Sequence, residues 1–128
     1  WNSSKNAGFT TGTPWIHVNP NYTAINTEAA LADPDSVFYY YQKLIQLRHS
    51  LPIVVYGTFH GLLEDSETIY AYTRTLDDQT LTVACNFTDQ EQDCTLFDDL
   101  AGEELISNYK THKAGKLQPY EARVILRK

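Results

Sequence analysis

The sequence predicts a mainly β protein: an antiparallel β-sandwich preceded by an irregular loop and one helix. Three observations predict it. Residues 80–87 alternate, with Leu81, Val83, Cys85 and Phe87 on one side and Thr80, Thr82, Ala84 and Asn86 on the other. Comparable short runs recur between turn signals through residues 53–128. Only one stretch, just before them, carries apolar residues at helical spacing.

Residues 1–32 show neither period. Gly12-Thr-Pro14 and Asn19-Pro-Asn21 are turn chemistry, with Pro fixing φ and Asn supplying local hydrogen bonds. A loop of this length without secondary structure is uncommon inside a compact domain and is usually functional. It stands at the start of a chain that has no Met. The expectation is therefore that a larger protein continues upstream and that this chain is its C-terminal part.

A helix is predicted over 34–51. Asp33 suits the N-cap, Pro34 the first helical position, and Asp35 the positive end of the helix dipole. Val37, Tyr40, Leu44, Leu47 and Leu51 form one stripe, and Phe38, Tyr41 and Ile45 widen it. A face this broad needs more than one neighbour to cover it, and the sandwich is expected to bury part of it. Pro52 is expected to end the helix.

Strands are predicted at 53–63, 68–76, 80–87, 92–97, 103–108 and 120–127. Asp77-Asp78 and Thr88–Glu91 have the length of hairpin connections. Cys85 and Cys94 flank the second of these. A cross-strand disulfide and two reduced, partly buried thiols are both open; one pair is no disulfide scaffold, which favours the thiols.

Composition excludes several partners. The formal net charge is −6, all of it beyond residue 52, which argues against nucleic acid or an anionic membrane. No apolar run approaches the roughly 18 residues that cross a bilayer.

Certain motifs go further. Trp1 with Ala7-Gly-Phe-Thr-Thr-Gly-Thr-Pro-Trp15, then Val18-Asn-Pro-Asn-Tyr22 and Ile25-Asn26, resembles the α-amylase-type glycoside hydrolases of family thirteen. The resemblance is to the branch of oligo-1,6-glucosidases, α-glucosidases, dextran glucosidases and trehalose-6-phosphate hydrolases. Asp35-Ser-Val-Phe-Tyr-Tyr-Tyr-Gln-Lys-Leu-Ile-Gln-Leu-Arg48 is similar to the last barrel helix of those enzymes. Val55-Tyr-Gly57, Asn86-Phe87, Leu105–Tyr109 and Leu117–Val124 are similar to their C-terminal β domain.

The resemblance implies a division into 1–33, the end of the last loop of a (β/α)₈ catalytic barrel; 34–52, the last barrel helix; and 53–128, the C-terminal β-sandwich domain. It implies a parent that cleaves α-glucosidic bonds with retention, using carboxylates that all lie upstream of Trp1. No catalytic residue is therefore expected in this chain. The implied partners are the catalytic barrel and, through it, an α-glucoside. Apolar surface left uncovered without the barrel implies self-association of the isolated chain. A cytoplasmic bacterial enzyme is implied, oligo-1,6-glucosidase-like, with a trehalose-6-phosphate hydrolase or a stand-alone carbohydrate-binding module as alternatives.

The residues themselves offer little other chemistry. Neighbours on a strand face opposite ways, so Asp98-Asp99 and Glu103-Glu104 make no acid/base pair. His17, His49, His60 and His112 have no metal-ligand spacing. No metal or cofactor is expected. Trp1, Phe9 and Trp15 are the candidates for the rim of a sugar pocket, because active-site loops sit at the C-terminal ends of barrel strands; packing of a long loop is the competing use. Tyr120 is expected to pack between sheet and helix. The sequons at Asn2, Asn21 and Asn86 are read as coincidence.

Overall fold

The computed structural model describes residues 1–128 as two compact units, Trp1–Lys43 and Leu44–Lys128. As expected, it is mainly antiparallel sheet with a few helices.

The first unit is more structured than the sequence predicts. It holds short 3-10 turns at Lys5–Gly8 and Pro20–Thr23 and a helix α1 (Thr27–Ala32). Asn26 caps α1: its Oδ1 accepts from Ala29 N at 2.9 Å, and Glu28 supplies the acidic first turn. Asp33 is not the N-cap of the next helix. It follows α1, and its side chain accepts from Asp35 N at 2.9 Å while its carbonyl accepts from Ser36 N at 3.1 Å. That local turn holds Pro34 and Asp35 outside the helix. Helix α2 therefore runs Val37–Ser50, and none of its residues is buried. Of the predicted stripe, Val37, Phe38, Tyr41, Leu44 and Ile45 are exposed, while Leu51, just past the helix, is half-buried against the apolar cluster of the sheet.

The second unit is built on a five-stranded antiparallel sheet. Its strands are β1 (Thr58–Leu62), β2 (Ile69–Leu76), β3 (Gln79–Asn86), β5 (Glu103–Ser107) and β7 (Ala122–Arg127), in spatial order β1-β2-β3-β7-β5. A two-stranded ribbon joins β4 (Gln92–Asp93) to β6 (Lys116–Leu117). The Asp77-Asp78 connection is the expected hairpin, with Asp77 in the left-handed region. Thr88–Glu91 is not a hairpin; β3 pairs with β7 and β4 with β6, so this turn carries the chain from the sheet to the ribbon.

Residues 53–63 are not one strand. Pro52–Tyr56 form a short helix α3, with Pro52 opening it, and β1 begins only after Gly57. Pro52 thus starts a helix as well as stopping one. Residues 92–97 keep two strand residues before Thr95 turns the chain. β6, too short to carry a period, is absent from the sequence reading.

Strand alternation gives the sheet two apolar faces. On one, Ile69, Ala71, Ala84 and Ile125 pack with Cys94, Phe97 and Leu117 from the ribbon side. On the other, Leu81, Val83 and Leu126 pack with Ile53 of α3. Cys85 belongs to the second face and Cys94 to the first, both as free thiols. The sheet lies between them, which rules out a bridge. Phe87 lies beyond the end of β3 and is exposed, and Tyr120, left-handed at φ 55°, is 60% exposed rather than packed.

Asn86 ties these parts together. It is buried; its amide donates to Gln90 O at 2.7 Å and Gln118 O at 2.9 Å, and its Oδ1 accepts from Thr88 N and Thr88 Oγ1. An amide so enclosed cannot accept a glycan in the folded chain.

Candidate functional site

The first unit forms a concavity of about 700 Å³ lined by Trp1, Ala7, Phe9, Trp15, Tyr22 and Ile25 among others. Its shape is set by side-chain amides. Asn6 Nδ2 donates to both Thr10 O and Gly12 O at 2.9 Å, which gathers the 9–12 loop. Asn2 Oδ1 accepts from Ser4 N at 3.0 Å, and Asn26 Nδ2 donates to Tyr22 O at 2.9 Å. Trp1 is anchored where its carbonyl accepts from Glu28 N at 3.1 Å.

Three consecutive residues are left-handed here: Asn6 at φ 57°, Ala7 at φ 56° and Gly8 at φ 76°. For a residue with a Cβ this costs roughly 1–2 kcal/mol. Asn tolerates it and Gly8 has no Cβ; Ala7 is the strained member, buried and held by its N–H on Ser4 O at 2.9 Å. The turn aims Phe9 towards Trp1. Their ring centroids are 6.3 Å apart at an interplanar angle of 32°.

Trp1, Phe9 and Trp15 thus line one concavity, and the first two touch. They are 57%, 70% and 92% exposed. Large rings with one free face can stack on the apolar face of a sugar. No Asp, Glu, Lys or Arg lines the concavity. It offers surface for a neutral, flat, partly apolar ligand and no carboxylate pair for cleaving it. Asn6 was not visible as a site residue, since its role lies in two cross-turn bonds; the one sequence signal was an Asn two residues before Gly8.

The polar clusters of the second unit have structural partners. Glu121 is fully buried, 2.6 Å from His112 Nδ1, and it accepts from Gln118 N at 2.8 Å. His112 Nε2 lies 2.9 Å from Glu104 Oε2, which also accepts from Arg123 Nε at 2.8 Å. Arg123 in turn lies over the Phe97 ring. Asp98 accepts from Gly115 N at 2.6 Å. Glu91 pairs with Lys113 and Lys116, and these bonds hold its carboxyl below the usual carboxylate range. Asp93 and Glu91 likewise raise Lys116. No group of three or more His, Cys, Asp or Glu is arranged to hold a metal ion. No helix is long and apolar enough to cross a membrane.

Residues 59–124 match the family described as maltogenic amylase, C-terminal domain. The chain belongs to that family. Residues 1–57 match the α-amylase catalytic domain family. Both agree with the α-amylase-type resemblance carried by the sequence motifs.

The chain is 52% identical to an oligo-1,6-glucosidase of Parageobacillus thermoglucosidasius, across 97% of this chain and 24% of that protein. It is 45% identical to a trehalose-6-phosphate hydrolase of Bacillus subtilis, across 95% of this chain and 23% of that protein. Among solved structures, the trehalose-6-phosphate hydrolase of Bacillus licheniformis superposes with a TM-score of 0.88 at 41% identity, over 98% of this chain and 24% of that one. An isomaltulose synthase of Klebsiella sp. LX3 gives 0.88 at 42% identity, over 99% and 24%. The chain therefore spans about a quarter of the length of the relatives it matches.

Proposed function

We propose that this chain is the C-terminal part of a retaining α-glucosidase of oligo-1,6-glucosidase type. Residues 1–33 form part of the loop wall of the catalytic barrel, 34–52 its last helix, and 53–128 the β domain that supports it. The aromatic concavity carries this reading. It lies in the segment similar to a catalytic domain, and it can hold a sugar but not cleave one.

Retaining cleavage needs two carboxyl groups about 5–5.5 Å apart across the glycosidic bond. The concavity supplies neither, so both come from the part of the barrel outside this chain. The role left to Trp1, Phe9 and Trp15 is to stack on a glucosyl ring and exclude water beside the reacting bond. Asn6 is a positioning residue for Phe9. A neutral isomalto-type substrate suits a wall without Lys or Arg better than a phosphorylated sugar does. That, with 52% against 45% identity, ranks the oligo-1,6-glucosidase reading above trehalose-6-phosphate hydrolase. Two free thiols suit the reducing cytoplasm. The isolated chain would also associate with itself through exposed α2 side chains such as Val37, Tyr41 and Ile45.

The test uses the chain alone and the chain grafted in place of the matching C-terminal quarter of the P. thermoglucosidasius enzyme. The chain alone should not turn over a nitrophenyl α-glucoside, and the graft should. In the graft, Trp15→Ala should raise KM severalfold more than it lowers kcat. Turnover by the isolated chain, or an unchanged KM, would overturn the reading.

A further inference from the structure

His112 stands between two carboxylates held by different parts of the sheet. Its Nδ1 lies 2.6 Å from Glu121 Oε1, at the entrance to β7, and its Nε2 lies 2.9 Å from Glu104 Oε2 on β5. Glu121 is fully buried, and its second oxygen accepts from Gln118 N at 2.8 Å, closing the turn that leads into β7. Arg123 of β7 faces the same Glu104 oxygen, with its Nε donating at 2.8 Å and its guanidinium 4.9 Å from the centroid of the Phe97 ring. From the ribbon side come Cys94 and Asp98. Burial pushes the Cys94 thiol up, and the charges of Asp98 and Glu121 add to this.

A carboxylate oxygen only accepts hydrogen bonds, so a ring nitrogen facing one must carry a hydrogen. Here both nitrogens face one. A neutral imidazole has a single N–H, and one of the two contacts would then set a lone pair against a negative oxygen. Both contacts are made when the ring is the imidazolium cation. Moving the extra hydrogen across to Glu121 leaves the count unchanged, since the trio still holds one proton more than two carboxylates and a neutral ring. An ordinary imidazole carries that proton only below about pH 6.5. The His112 side chain is 18% exposed, which lets the proton exchange with water.

The ring sits in the connection from β5 to β6. Near it, Tyr109 Oη donates to Pro119 O and Gln118 Nε2 to Thr111 O, both at 2.9 Å. These bonds close the segment on itself rather than on the sheet. Leu117, at its far end, is fully buried in the first apolar cluster.

We infer that His112 is a proton-dependent clamp on the β domain. Doubly protonated, it fastens residues 109–118 to the sheet through Glu104 and Glu121; when the ring gives up one proton, that fastening is lost and the segment loosens. The sign follows from the hydrogen count: the clamp is closed on the acid side of neutrality and opens as pH rises.

Amide exchange of the full chain, read by mass spectrometry as protection factors, tests this at about pH 5 and about pH 8. Protection over 109–118 should fall at least tenfold between the two, with the β3–β7 ladder unchanged. Equal protection at both would overturn the inference. His112→Gln offers one donor and one acceptor and no proton to lose, so it should be loose at both and show no fall. The same fall in that variant would assign the titration to another group and overturn the clamp. Glu104→Gln, at a side chain 36% exposed, keeps the test open if His112→Gln does not fold. Its amide can accept from Nε2–H or donate to a bare Nε2, so the ring no longer needs its second hydrogen there. The fall should shrink severalfold; a fall of full size would overturn the inference.

Discussion

The two units reach order by different routes. In Trp1–Lys43 the buried residues are Ala7 and Asn26. Its shape comes from Asn side chains bonded to nearby backbone. In Leu44–Lys128 two apolar clusters sandwich the sheet, and buried polar groups are few and fully bonded. Apolar burial is the main driving force for folding, whereas a net hydrogen bond contributes only about 1 kcal/mol. The second unit thus carries its own core. The first is a hydrogen-bonded shape that leaves its aromatic rings exposed.

Asn86→Ala strikes hardest at that contrast, because there an amide does for the second unit what it does for the first, but inside a core. The substitution leaves Gln118 O, Gln90 O and Thr88 N without their partner. The cost should be about 3 kcal/mol, which for a domain of this size lowers Tm by more than ~10 °C. Thermal unfolding followed by circular dichroism measures it. A loss below ~1 kcal/mol would mean that the 86–91 turn is no part of the core.

Gly57→Ala should follow, at about 2 kcal/mol. A Cβ at this position would meet Ile53 O at 2.5 Å and the Arg74 Cβ at 3.1 Å, so α3 must lift from the sheet. Urea unfolding measures the loss. An unchanged midpoint would show that α3 contributes nothing to the second cluster.

Where sequence patterns decided the fold, they did so through these cores. β2, β3, β5 and β7 fall within about two residues of expectation because the apolar clusters on the two faces of the sheet fix their register. α3 was illegible: Ile53-Val-Val-Tyr56 is β-branched and aromatic, hence strand-like, and only packing on the sheet makes it helical. α1 has six residues, too few to show a helical period, although Asn26 followed by Glu28 carried its start signal. Asp33 and Pro34 misled because the same residues that cap helices also close turns. In the candidate site, Trp1, Phe9 and Trp15 were legible as large rings in a long loop. Asn6 was not, since nothing in its neighbours announces two bonds across a left-handed turn.

The smallest effect is expected at Asn6→Ala, and it tests the comparison from the other side. The substitution removes two 2.9 Å bonds to Thr10 O and Gly12 O and puts a Cβ-only side chain in a left-handed position. In a cored domain that would be costly. Here the residue is half-exposed in a unit with no cluster of its own, so global unfolding of the sheet should move by less than ~0.5 kcal/mol. The change should appear locally instead, as faster amide exchange over Phe9–Gly12 and faster proteolysis there. In the graft, the same variant should raise KM for the nitrophenyl glucoside by loosening Phe9. A global loss as large as that of Asn86→Ala would mean that the first unit is part of the cooperative core, and the two routes to order would be one.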